Sequence, residues 1–160
     1  MFTRSASRLI ALFSLSCFAL ALALLASRDA SGVADPWTPA QTVQPANLVK
    51  ELADSKNAPT VVFVGFQRLF TAGHIKSAQY HGSGGNPDGL AQLKTWVASL
   101  PRATNLVIYC GCCPIDRCPN LRPAFTALHD LGFTRLRVLI LPTDFAVDWV
   151  DKGYTYDKGQ

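Results

Sequence analysis

Asn105–Asn120, NLVIYCGCCPIDRCPN, is the stretch that decides the fold. Its first part, Leu106-Val107-Ile108-Tyr109, is a short apolar run of β type. It stops abruptly at a loop holding four of the chain's five cysteines, Cys110, Cys112, Cys113 and Cys118. A helix is expected next, because Pro119 suits a first helical turn, with Cys118 or Asp116 near its amino end. Such a loop is suited to sulfur anions. The first N–H groups of a helix lack intrahelical partners, and the helix dipole favours negative charge there.

Working outward, Thr60-Val61-Val62-Phe63-Val64 and Leu136 to Leu141 are also continuously apolar, the pattern of strands buried on both faces. Between them, Leu90, Leu93, Trp96, Val97 and Leu100 recur at helical spacing up to Pro101, as do Leu121, Phe125, Leu128 and Leu131 up to Gly132. Leu48, Val49 and Leu52 predict a short amphipathic helix over 47–55, and residues 78–81 a short strand. Strands alternating with helices imply an α/β domain with a mostly parallel sheet covered on both faces. Ligands in such folds sit at the carboxyl ends of strands, which is where Cys110 falls. Residues 142–152 predict a last helical turn or two, with Phe145, Trp149 and Val150 packed inward. The loop His81–Gly89 has no phosphate-binding glycine spacing and is expected to be a mobile surface connection.

Residues 1–34 have the pattern of an export signal: Arg4 and Arg8 precede the 18-residue apolar stretch Leu9–Ala26, and small residues follow at Gly32 and Ala34. That stretch is also long enough to serve as an uncleaved membrane anchor through residues 9–26. The expected address is therefore periplasmic or extracellular, whether free or anchored. Cys17 is an ordinary small residue of the apolar core. Residues 35–46, rich in proline and polar side chains, are expected to be a tether in which Trp37 is a packing anchor, leaving 47–160 as one domain. From Asp35 onward twelve Lys and Arg oppose ten Asp and Glu, with no basic run, so no nucleic-acid partner is expected.

Three landmarks in order resemble the rhodanese-like sulfurtransferases. Gly73-His74-Ile75 followed by Ala78 is similar to the family's G-H-I-P-G-A segment. Tyr109-Cys110 closes an apolar strand, and Gly132-Phe133 precedes a strand and then Trp149. The resemblance spans nearly all of residues 47–153. It implies a central parallel sheet of about five strands with helices on both faces. It also implies a cysteine that takes a sulfane sulfur from thiosulfate or a persulfide and passes it to a thiol or cyanide, without a cofactor. The chain departs from the pattern in places: Lys76 and Ser77 replace the family's proline and glycine, and Gly65-Phe66-Gln67-Arg68 stands where Asp-x-Arg is common. Family loops often carry an arginine at the sixth position. Arg117 is eighth counted from Cys110 and sixth counted from Cys112.

The expected nucleophile is Cys110, with Cys112 as runner-up. Gly111, Cys112, Cys113, Ile115, Asp116 and Arg117 are the expected substrate-binding loop, with Arg117, and secondarily Arg122, receiving the donor's charge. The bland alternatives are an Arg117–Asp116 pair and an exposed Arg122. Phosphatase chemistry is disfavoured by Asp116, which stands where an arginine would be needed. Cys113 and Cys118 are candidate resolving residues, and Cys113–Cys118 a candidate disulfide; a thiolate site for zinc or copper(I) is a further use of the same loop, although its spacing is not that of paired knuckles and no resident metal is expected. His74 is expected to be structural, and His81 and His129 to face solvent. The alternative to an enzyme is a redox or metal-binding module built on the Cys110–Cys118 loop. The expected partners are a small sulfur donor and a thiol acceptor, a protein thiol included.

Overall fold

The structure, a computed structural model, describes residues 34–159. The export signal or anchor, its apolar stretch and Cys17 lie outside the described residues. Among those described, no helix is long and apolar enough to cross a membrane.

Five strands form one wholly parallel sheet, which from edge to edge runs Thr42–Val43, Leu136–Leu139, Leu106–Tyr109, Thr60–Phe63 and Gln79–Tyr80. They are β1 (Thr42–Val43), β2 (Thr60–Phe63), β4 (Gln79–Tyr80), β5 (Leu106–Tyr109) and β6 (Leu136–Leu139). Helices α1 (Pro45–Ala53), α2 (Gln67–Ala72), α3 (Pro87–Val97) and α4 (Leu121–Asp130) connect them. A second, two-stranded antiparallel sheet pairs β3 (His74–Ile75) with β7 (Tyr156–Asp157). The continuous apolar runs become the central strands because a parallel sheet is covered on both sides and side chains alternate between faces. Val62, Val64, Leu106 and Ile108 face a core with Leu93 and Val97 of α3 and Leu121, Phe125 and Leu128 of α4. Val61, Phe63, Val107 and Tyr109 face the other core, with Leu48, Phe70, Ile75 and Trp149.

Four expectations are corrected. Residues 35–46 are not a tether. Trp37 is buried and meets the edge of Phe125 at a centroid distance of 5.5 Å, and Thr42–Val43 pairs with Val138–Leu139 as the sheet's edge strand. The helix after the cysteine loop starts at Leu121, not Pro119; a 3-10 turn, Ile115–Arg117, occupies the loop instead. The last helical segment falls within the expected 142–152, as one π-helical turn, Ala146–Val150.

The glycine-rich connection is not a mobile surface loop. Ser83 is buried and its hydroxyl donates to Asn120 Oδ1 at 2.8 Å, while the Gly85 N–H donates to the same oxygen at 3.0 Å. At Gly84 a Cβ would stand 2.3 Å from the Asn120 carbonyl oxygen, so glycine is required there by close approach. His81 at the start of this loop is stacked on Trp96 at 3.9 Å rather than facing solvent, and burial pushes its pKa below the ordinary imidazole value.

His74 is structural: its ring stacks on Phe70 at 3.8 Å and Nδ1 lies 2.8 Å from the Phe70 carbonyl oxygen. His129 is exposed. The turn that follows His74 has Ala78 N–H donating to the Ile75 carbonyl at 2.9 Å, with Ser77 at φ +67° in its third position. That conformation is the one a type II turn demands, and it explains why proline and glycine suit positions 76 and 77.

Candidate functional site

Alternation along β5 determines where the first cysteine points. Leu106 and Ile108 face α3 and α4, and Cys110, two residues on, continues that side at the strand's carboxyl end. Its sulfur is therefore covered, with the residue only 2% exposed, and lies against Gly65, where a Cβ would stand 3.0 Å from it. The sequence expectation puts Cys110 at this strand end as the nucleophile; the structure places it there with its sulfur covered. Gly111 then reverses the chain against Phe145: its carbonyl accepts the Phe145 N–H at 3.2 Å, and a Cβ at Gly111 would be 2.3 Å from that of Phe145. The reversal carries Cys112 and Cys113 to half-exposed positions.

All four cysteines of the loop are free thiols. Cys112 Sγ lies 3.3 Å from Cys110 Sγ and 3.0 Å from Cys113 Sγ. The sulfurs of Cys110, Cys112 and Cys118 all lie within 4.8 Å of one another. Cys118 is buried as deeply as Cys110 and sits just before α4, where the backbone N–H groups of Asn120 and Leu121 donate to its sulfur. The Cys110 thiol donates to it as well, and together these bring its pKa down to about 6 against the opposing effect of burial. The reciprocal effect appears at Cys110. Holding its proton toward Cys118, and then burial, push its pKa far above the ordinary thiol range, although the Cys112 N–H donates to it. Burial pushes Cys113 up to about 12, aided by its contact with Cys112. Of the loop sulfurs, Cys118, at the helix amino end, is the one whose surroundings favour the thiolate.

Asn120 organises the cluster, although the sequence pattern marks it only weakly. Completely buried, it accepts from Ser83 and Gly85 through Oδ1, and Nδ2 donates to Cys110 Sγ at 3.4 Å and reaches Cys112 Sγ at 3.9 Å. One amide therefore ties the glycine loop to the thiols. The only signal available was a polar residue at a position that the stripe of α4 turns inward.

A cavity of about 380 Å³ opens beside the loop, with Gly111 and Cys112 in its wall together with Phe63, Phe145, Tyr156 and Lys158. Cys112 is the thiol that reaches it. Ile115 packs partly buried on the core. Asp116 and Arg117 do not face the cavity: their side chains are 70% and 80% exposed and pair loosely at 3.8 Å. Arg122 is also committed elsewhere. Its guanidinium bonds Asp35 Oδ1 at 2.6 Å and the Asp116 carbonyl at 3.1 Å and lies over the Trp37 ring, holding the amino-terminal segment onto α4. Lys158, carried by the segment after β7, is the cation at the cavity; it drew no attention in the sequence because nothing local marks a two-residue strand.

No family model matches the sequence, and no curated protein does. Among solved structures, the BH2092 protein from Bacillus halodurans superposes with a TM-score of 0.57 at 19% identity, covering 73% of this chain and 76% of its own. The rhodanese-like domain of the Alr3790 protein from Anabaena sp. gives 0.54 at 18%, covering 74% and 79%. EanB, in a variant bound to ergothioneine, gives 0.54 at 16% identity, covering 74% of this chain but only 28% of EanB. The chain has the rhodanese-like fold.

Proposed function

We propose that the chain is a sulfurtransferase that moves a sulfane sulfur from thiosulfate or a persulfide to a thiol or cyanide, through a persulfide formed in the cysteine loop. The observation that carries this is the placement of Cys112 at the cavity wall, 3.3 Å in front of Cys110, at the carboxyl end of the central strand and under the Asn120 amide. Of the solved structures with this fold, EanB has also been captured with a cysteine persulfide in the presence of ergothioneine, which supports persulfide chemistry on this scaffold.

In the first step the Cys112 thiolate attacks the outer sulfur of thiosulfate. A sulfur–sulfur bond forms, and sulfite leaves with the electron pair of the bond that breaks. The acceptor thiolate then attacks the outer persulfide sulfur, leaves carrying it, and returns Cys112 as thiolate. Asn120 Nδ2 and the loop N–H groups stabilise the negative persulfide, and Lys158 attracts the anionic donor. Cys110 stands directly behind as the second station: with its proton passed to the Cys118 thiolate, its sulfur attacks the outer persulfide sulfur and Cys112 leaves as thiolate.

The test is a thiosulfate and cyanide assay combined with intact and peptide mass analysis after thiosulfate treatment. A gain of about 32 Da, one sulfur atom, mapped to Cys112 and lost in Cys112→Ser is the expected result. A gain that maps only to Cys110 and survives Cys112→Ser places the nucleophile on the inner sulfur. No gain on any loop cysteine refutes the function.

A further inference from the structure

We propose that Cys110, Cys112 and Cys118 together form a three-coordinate binding site for one soft monovalent metal ion, copper(I). This goes beyond sulfur transfer, although it uses the same sulfurs.

The geometry supplies the ligand set. A trigonal centre with metal–sulfur bonds of about 2.3 Å holds its sulfurs about 4 Å apart. The three Sγ atoms lie within 4.8 Å of one another, the nearest pair at 3.3 Å, so side-chain adjustments of well under 1 Å bring them to that spacing. Two of the three are held on rigid supports, Cys110 at the end of β5 and Cys118 at the turn into α4; Cys112 closes the triangle from the loop. The set is also sulfur-only, because the group contains no histidine or carboxylate, and thiolates favour copper(I) over harder divalent ions.

Burial and polarity argue for low coordination. Cys110 and Cys118 are each 2% exposed, and the cluster sits on the apolar core between β5 and α4, so two of the three sulfurs are closed to the water that a three-ligand zinc centre keeps. The excess negative charge of three thiolates about one monovalent ion falls on sulfurs that already have donors. Asn120 Nδ2 faces Cys110 and Cys112, the Cys112 N–H faces Cys110, and the Asn120 and Leu121 N–H groups face Cys118. Cys113 touches Cys112 at 3.0 Å but is not a member of the mutual set. Its position outside gives the test its internal control. An ion held by Cys112 removes that thiol from the cavity, so metal binding and persulfide formation exclude each other.

The experiment titrates the reduced full chain, anaerobically, with copper(I) supplied as its bicinchoninate complex and bleaching of that complex as the readout. One equivalent is expected to be withdrawn. Cys112→Ser, Cys110→Ser and Cys118→Ser each weaken binding by at least about tenfold, while Cys113→Ser stays within about threefold. Because serine at the two buried positions can disturb folding, wild-type protein is also alkylated with iodoacetamide under native conditions. One equivalent of copper(I) is expected to slow labelling of Cys112 at least about tenfold and leave Cys113 reactive. Failure to withdraw copper(I) overturns the proposal, as does equal dependence on Cys113, equal protection of both half-exposed thiols, or displacement of the bound copper(I) by equimolar zinc. The persulfide mass gain is measured on metal-free protein, so its failure and failure of copper(I) binding are separate results.

Discussion

Replacing Asn120 with alanine tests the link between the glycine loop and the thiols. The side chain is fully buried and its Oδ1 is the acceptor for both the Ser83 hydroxyl and the Gly85 N–H. Removing it leaves the buried Ser83 hydroxyl without a partner, at a cost of about 1–3 kcal/mol, whereas the Gly85 N–H, on an exposed residue, turns to solvent at lesser cost. The expected loss is about 2 kcal/mol, a large share of the 5–15 kcal/mol typical of a domain. Urea unfolding under reducing conditions, with an unchanged slope, measures it. A double-mutant cycle identifies the cause: once Asn120 is gone, Ser83→Ala removes a stranded hydroxyl, so the double variant should be about 1 kcal/mol more stable than additivity predicts. Function separates from stability in the same set. Asn120→Ala loses the donor to Cys110 and Cys112 and should slow sulfur transfer about ten- to a hundredfold, whereas Ser83→Ala keeps that donor and should stay within about threefold. A loss below about 1 kcal/mol together with a strictly additive cycle would refute the account of Asn120 as the tie between the two loops.

Three further outcomes are expected. Ser77→Gly should stabilise the domain by about 0.5–1 kcal/mol, a melting-temperature rise of a few degrees, because relieving the left-handed Cβ clash outweighs the added unfolded-state entropy; a lower melting temperature contradicts it. Lys158→Ala should raise KM for thiosulfate several-fold with little change in kcat, while Arg117→Ala changes both by less than about twofold, since only the former side chain lines the cavity. The bidentate Arg137–Glu51 pair, at 2.8 and 2.6 Å, holds the Glu51 carboxyl below its usual range. A depressed folded-state pKa contributes stability that is complete above the unfolded value near 4.5 and is lost as pH falls through the folded value. Glu51→Gln should therefore cost about 0.5 kcal/mol at neutral pH, after solvent screening of this half-buried pair, and less as pH falls through the folded value, as urea midpoints at neutral and acid pH will show.

What the sequence revealed and what it hid follow from the range of the interactions involved. Thr60 to Val64, Leu106 to Tyr109 and Leu136 to Leu141 are legible as strands because burial on both faces leaves a continuous apolar run of its own. Thr42–Val43 and Tyr156–Asp157 are not, since two residues become strand only through the partner they meet, Val138–Leu139 in one case and His74–Ile75 in the other. Gly82 to Gly85 looks the same locally whether the chain swings free or is pressed against another backbone. The deciding contact is Asn120, 35 residues beyond Gly85. The direction of Arg117 is hidden for a similar reason: counting along a loop gives distance in sequence, while the 3-10 turn at Ile115–Arg117 leaves the side chains of Asp116 and Arg117 exposed.

The orientation of Cys110, by contrast, was available in the residues themselves. Strand side chains alternate, Leu106 and Ile108 are large and apolar, and the helix striped by Leu121, Phe125 and Leu128 must cover one face. Any residue continuing that parity at 110 points under the helix. The only way to present a thiol at the cavity is then to break the parity, which is what Gly111 does where a side chain would collide with Phe145. A cysteine at the strand's end thus anchors the cluster from inside, and the residue after the glycine meets whatever enters from outside. The pairing of an inner and an outer sulfur across a single glycine, rather than any one cysteine, is the chemical unit that this fold presents.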